Sequence, residues 1–168
     1  MLKINHSINL NLKIITFPTI FNDHRGDYIE IFNKKLFNLS DISNEFVSDC
    51  FIYSKINVLR GIHGDSITWK LVSCIHGKFF IAIVNLDKDS ENYLKFDTFI
   101  LSEDKKKQIL VPPLHGIGHC ILSKEAIYYY KQTSYYEDKD EFVFPWNSEK
   151  LNIKWPINNP ILSEKDTF

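Results

Sequence analysis

The sequence predicts an all-β protein, an antiparallel sandwich or barrel, on three observations. Short runs of β-branched and aromatic residues recur at close spacing along the 168 residues. Gly, Pro and Asn-Asp punctuation separates these runs, and convincing helical periodicity is scarce. Aromatic residues make up 14% of the chain, with 13 Phe and 8 Tyr, which suits pleated, half-buried surfaces better than helices.

The elements follow in order. Leu10–Phe17 mixes alternation with an apolar run and stops at Pro18; Tyr28–Phe32 alternates with period two, and Phe51–Ile56 does so more loosely. Lys34–Leu39 and Ser40–Glu45 have room for one or two short helical turns. Trp69–Ile75 leads into a His76-Gly77-Lys78 turn, after which Phe79–Leu86 is almost wholly apolar. Phe96–Leu101, Gln108–Val111, Cys120–Leu122 and Ala126–Tyr136 read as further strands, with Pro112–His119 as a loop before one of them. The Pro- and Asn-rich tail from Pro145, carrying Trp146 and Trp155, reads as an irregular segment packed on the sheets. No linker, repeat or low-complexity stretch divides the chain, so residues 1–168 are expected to form one domain. That length buries a core without metal or disulfide staples.

Charge and cysteine content exclude several classes. The formal net charge is -1 and basic residues are scattered apart from Lys105-Lys106-Lys107, so neither nucleic acid nor a membrane surface is an expected partner. No run approaches a membrane span and Met1–His6 lacks a signal peptide's apolar stretch, which predicts a cytoplasmic protein. Cys50, Cys74 and Cys120 form no metal-binding pattern and cannot all pair; Cys74 and Cys120, in apolar runs, are expected as buried reduced thiols.

Arginine occurs twice against eighteen lysines, as Arg25 in Asp23-His24-Arg25-Gly26-Asp27 and as Arg60 in Leu59-Arg60-Gly61-Ile62-His63-Gly64-Asp65. Guanidinium offers a planar fork that grips phosphate or carboxylate through two parallel hydrogen bonds. His63, three residues after Arg60, is suited to moving protons near neutral pH. In a regular strand Gly61 and His63 share one face while Arg60 points to the other. A bulge or a strand end must therefore bring Arg60 round, and Gly61 permits either. A lone histidine is more often structural than catalytic. Lys70 interrupts an apolar stretch, either to stabilise a developing enolate oxygen or to guard a sheet edge. One of Tyr128, Tyr129 and Tyr130 could donate a proton at the end of a proton-transfer step, although tyrosine runs in strands are usually half-buried packing residues, and spacing alone does not choose among the three. His115 and His119 stand in a Gly-containing loop with no His-x-His pattern and no rigid helical face, so no catalytic metal is expected. An anion clamp beside a proton shuttle suggests an enzyme acting on a phosphorylated or nucleotide-linked small molecule.

These segments, in this order, resemble the dTDP-4-dehydrorhamnose 3,5-epimerase family of cupin-fold sugar epimerases from about Phe17 to the end. Asp23-His24-Arg25-Gly26 with Tyr28 and Glu30 is similar to the family's D-x-R-G and the aromatic and glutamate that follow it. Val58–His63 resembles VLRGLH, and Lys70-Leu71-Val72 resembles KLV. Asp138 and Asp140 lie in the acidic turn after the tyrosine strand, and Trp146-Asn147 and Ile153–Pro156 match its closing segment. Pro160–Asp166 reads PILSEKD, residue for residue. The resemblance implies a cupin fold, a double-stranded β-helix jelly-roll barrel with a few short helical turns. It also implies a cofactor-independent epimerase working as a homodimer with exchanged strands. His63 would be the base and Asp166 its support, Lys70 would stabilise the enolate oxygen, and Tyr130 would return a proton from the opposite face. Arg25, Tyr28, Glu30 and Arg60 would hold the nucleotide end, with His119 and Tyr136 at the sugar.

The chain also departs from that pattern. The family reads LRGLH-x-Q where this chain has His63-Gly64-Asp65, its strand aspartate is Asn85 here, and its histidine two residues before position 119 is Ile117. His119 or His115 could cover that last role, or one of two epimerisations could be lost. The Asn57–Asp65 stretch and Tyr128–Lys131 are similar to the branch that acts on GDP-linked 4-keto-6-deoxy-heptoses for capsule or surface polysaccharide. The expectation is therefore C3, or C3 and C5, epimerisation of such a GDP-heptose. The alternatives are the dTDP-4-dehydrorhamnose reaction or a non-catalytic sugar-nucleotide-binding cupin. Ketoisomerisation and a metal-dependent oxygenase are more distant.

Overall fold

A computed structural model describes residues 1–137 and 140–167; Asp138 of the acidic turn lies outside the described residues. Two sheets dominate. The first has the order β1-β2-β10-β7-β12-β5, from Ile4–His6 (β1), Lys13–Thr16 (β2), Ser48–Lys55 (β5), Lys70–His76 (β7), Lys107–Val111 (β10) and Glu125–Gln132 (β12). The second has the order β13-β6-β11-β8-β9, from Leu59–Asp65 (β6), Lys78–Asn85 (β8), Phe96–Ser102 (β9), His115–Ile121 (β11) and Glu141–Val143 (β13). Thr19–Asp23 (β3) and Gly26–Glu30 (β4) pair only with each other. The named pairs within the sheets are antiparallel, and the arrangement is a jelly roll whose two sheets face each other without closing into a barrel.

Three apolar layers explain why several strands lack simple alternation. Val72 and Cys74 of β7 meet Phe79, Ile81 and Ile83 of β8 and Ile117 and Ile121 of β11 between the sheets. Ala82 and Val84 of β8, with Phe80 beside them, point the other way and are covered by Leu151, Ile153, Trp146 and Trp155 of the C-terminal tail. On the outer face of the first sheet, Leu71, Ile15 and Leu110 lie under Phe37 and Ile42. Phe37 belongs to the short helix α1 (Lys34–Asn38), capped by the Asn33 side chain accepting from the Leu36 N–H. A strand buried on both faces reads as a continuous apolar run, as Phe79–Leu86 does.

Helix formation in Lys34–Leu39 is realised, but Ser40–Glu45 carries a turn and no helix. β1 and β3 were not anticipated. The expected loop over Pro112–His119 is largely strand: β11 starts at His115, because Gly116 and Gly118 act there as close-approach positions. A Cβ on Gly118 would sit 2.8 Å from the Trp155 ring. Cys74 and Cys120 are buried free thiols, and burial pushes both up to about 12. No helix among the described residues is long and apolar enough to cross a membrane.

The β6–β11 pairing holds a bulge, one of the two routes the sequence left open for turning Arg60. Ile117 pairs with His63 and His119 with Arg60, so three steps on β6 oppose two on β11. Gly61 takes a φ of +123°, and a Cβ there would lie 2.6 Å from the Ile117 carbonyl oxygen. Gly61→Ala is expected to cost about 2–3 kcal/mol, measured by denaturant unfolding, since backbone cannot yield as a flexible side chain can.

Candidate active site

The open end between the two sheets is a cavity of about 540 Å³, lined by inward-facing residues of both. Alternation along the strands selects them, except that the β6 bulge adds Arg60. β6 supplies Arg60, His63 and Asp65; β7 supplies Lys70; β11 supplies Ile117 and His119; β12 supplies Tyr128 and Tyr130. Glu141 of β13, Tyr136 and the turn Glu164–Asp166 complete the wall.

His63 Nε2 lies 2.6 Å from Asp166 Oδ1, a contact between residues 103 apart. Asp166 is only 1% exposed, and a carboxylate so buried requires partners. Its other oxygen accepts the Ser163 hydroxyl at 2.9 Å, and its carbonyl accepts the Trp146 indole N–H at 3.1 Å. With Nε2–H donated to Asp166, Nδ1 carries the basic lone pair. Nδ1 lies 3.4 Å from Glu141 Oε1, so a protonated ring would be flanked by two carboxylates. The ring is 27% exposed to the cavity, enough to meet a ligand.

Tyr130 lines the same cavity from the other sheet, so His63 and Tyr130 stand on opposite walls. β12 settles which tyrosines face inward. Tyr128 and Tyr130 pack edge to face at 5.7 Å on the inner layer, while Tyr129 belongs to the other face. Burial, with Cys50 opposite on β5, pushes the Tyr130 phenol up to about 12, so it keeps its proton at neutral pH.

The bulge brings Arg60 to the cavity, where its Nε donates to Ser54 Oγ at 3.2 Å; among the described residues no carboxylate pairs with it. His119 is 4% exposed and stacks on Tyr128 at 4.3 Å. Burial, then the positive charges of Arg60 and His63, hold it down to about 3, so the imidazole is neutral. Its Nε2 finds no partner among the described residues. His115 does not line the cavity, and its Nδ1 bonds the Pro113 carbonyl at 2.9 Å. Asn85, the departure from the strand aspartate, is also elsewhere and binds the Asp87 N–H and Ser90 in a turn. Tyr136 lines the mouth, with its hydroxyl 3.5 Å from Glu141 Oε2.

Three expected site residues are not brought to the cavity of this chain. Arg25, Tyr28 and Glu30 lie on the separate β3–β4 hairpin. Arg25 is 78% exposed and pairs with Asp23 at 2.6 Å, which holds the Asp23 carboxyl below its usual range. Glu30 accepts from the Thr19 hydroxyl at 2.9 Å and the Asn33 amide at 3.0 Å, and Tyr28 is 66% exposed. Two residues went unread: Glu141, and Lys165, whose Nζ meets Glu141 Oε2 at 2.7 Å. Lys165 was inside a matched motif. Glu141 had no local signal, since only strand pairing sets it opposite Asp65. Among the described residues no group of three or more His, Cys, Asp or Glu side chains is gathered to hold a metal ion.

Residues 8–168 match the dTDP-4-dehydrorhamnose 3,5-epimerase family. The chain is 36% identical over 157 residues to the dTDP-4-dehydrorhamnose 3,5-epimerase of Shigella flexneri, covering 91% of this chain and 87% of that protein. Among solved structures, the Bacillus anthracis dTDP-4-dehydrorhamnose 3,5-epimerase with TDP and pyrophosphate bound superposes with a TM-score of 0.92 at 33% identity. That match covers 99% of this chain and 97% of that one. The Legionella pneumophila dTDP-6-deoxy-D-glucose-3,5-epimerase in complex with dTDP-4-keto-L-rhamnose gives 0.91 at 34% identity, over 99% of this chain and 90% of that one.

Proposed function

The chain belongs to the dTDP-4-dehydrorhamnose 3,5-epimerase family of isomerases, and from that premise we propose that it inverts C3, or C3 and C5, of a dTDP-linked 4-keto-6-deoxyhexose. The observation that carries the reading is a histidine backed by a buried carboxylate facing a protonated tyrosine across one cavity. A 4-keto group acidifies the hydrogens on its neighbouring carbons. His63 takes such a proton and becomes an imidazolium that Asp166 stabilises. The electron pair moves into the enolate, whose oxygen Lys70 meets with its ammonium. Tyr130 returns a proton to the same carbon from the other wall, and that exchange of faces is the inversion. No cofactor enters this sequence of steps. Arg60 serves the diphosphate, while His119 and Tyr136 meet the sugar and its surroundings.

The expectation of a GDP-heptose substrate gives way here. The relatives named above carry dTDP-sugar names, and the heptose branch and its capsule role draw no support from them. Incubation with dTDP- and GDP-linked 4-keto-6-deoxy sugars, with products read by NMR, tests the choice. Epimerised dTDP-sugar is expected; turnover of the GDP-linked sugar alone would reverse it, and turnover of neither would reject the epimerase.

The hairpin supports a further part of the reading, a homodimer with exchanged strands. β3 and β4 expose Ile20, Phe21 and Tyr28 and carry Arg25 away from the chain's own cavity. In the dimer, Arg25, Tyr28 and Glu30 serve the second subunit's nucleotide.

A further inference from the structure

We propose that Asp65 is the positioning residue for Lys70, fixing the ammonium that meets the enolate; the inference rests on the epimerase reading and names a residue that reading leaves idle. Asp65 follows His63 by two positions on β6, so both line the cavity. Its Oδ1 accepts the Thr68 N–H at 2.6 Å and the Ile67 N–H at 3.1 Å. The Thr68 hydroxyl is in turn bonded to Ser134 Oγ at 2.5 Å. One carboxylate oxygen is thus fixed by the backbone of the β6–β7 connection, and the other, Oδ2, faces Lys70 Nζ at 3.1 Å.

Lys70 opens β7 on the inward alternation of Val72 and Cys74, and its side chain is 22% exposed. A lysine stem is long and flexible, and holding its head at one place has an entropic cost. A carboxylate anchored on one oxygen restricts that freedom by holding the ammonium head at 3.1 Å. Asp65 also stands where the family pattern has a neutral glutamine, which could not supply that charge.

Asp65→Asn isolates the effect, because the amide oxygen can still accept the two backbone N–H groups while the charge is lost. The kcat of D65N is expected to fall about tenfold with KM within about twofold, as positioning rather than binding is lost. Lys70→Met is expected to lower kcat about 100-fold, and the double variant to be no slower than K70M alone. Asp65→Glu should restore part of the loss. Independently of turnover, acylation of Lys70 by an amine reagent at neutral pH, read by mass spectrometry, should be several-fold faster in D65N. Additive losses in the cycle, or unchanged Lys70 labelling in D65N, would overturn the proposal. Wild-type inactivity on every 4-keto sugar nucleotide, with the labelling contrast present, would reject the epimerase and leave the pair standing.

Discussion

Replacing His63 with asparagine is expected to lower kcat by about 1,000-fold while leaving the unfolding midpoint and nucleotide affinity near wild type. Asparagine retains a polar group against Asp166, so the buried carboxylate is not left without a partner, a vacancy that would itself destabilise the fold. What it lacks is a basic nitrogen. In the structure that nitrogen is Nδ1, since Nε2 is committed to Asp166 at 2.6 Å. Steady-state kinetics beside calorimetric titration with dTDP checks the result. A drop in affinity as large as the drop in kcat would show that His63 binds rather than reacts.

Tyr130→Phe is the second large effect, and it separates the two halves of the reaction. Net inversion should fall about 100- to 1,000-fold, because the proton no longer arrives from the far wall. Exchange of the C3 hydrogen with solvent should persist, since His63 still removes it and can return it to the face it left. The pH profile follows from the same residue. Tyr130 is pushed up to about 12 by burial and by Cys50 opposite, so its protonated form is present at and well above neutral pH. The alkaline loss of kcat from this group should therefore lie above the ordinary tyrosine value of about 10. NMR of the sugar in heavy water reads exchange and inversion together. Loss of both in Y130F would assign removal of the proton, and not its return, to the tyrosine.

The strands that carry the site were readable because their apolar runs are bounded by turn residues, as in Trp69–Ile75 and Ala126–Tyr136. β11 was misread because glycine marks both turns and close packing, and only Trp155 and Ile62 pressing on Gly118 show which applies. Pattern also showed that Arg60 and His63 could share a cavity only through a bulge or a strand end, and β6 holds a bulge. Pattern could not choose among Tyr128, Tyr129 and Tyr130. That choice depends on which way β12 faces, which its pairing with β7 and β5 fixes. Nor could spacing join His63 to Asp166 or Glu141, which come together through the tail and a strand pairing. The hairpin residues stand apart from the cavity because β3 and β4 pair only with each other, a placement that the motif carrying Arg25, Tyr28 and Glu30 does not encode.

Mass spectrometry of the sugar nucleotide recovered after turnover in heavy water measures most directly whether the imidazole of His63 removes a proton next to the ketone. Deuterium should enter at C3, and at C5 where that centre also inverts, with wild-type protein and not with H63N. Inversion that brings in no deuterium, or deuterium entering H63N at the wild-type rate, would contradict it.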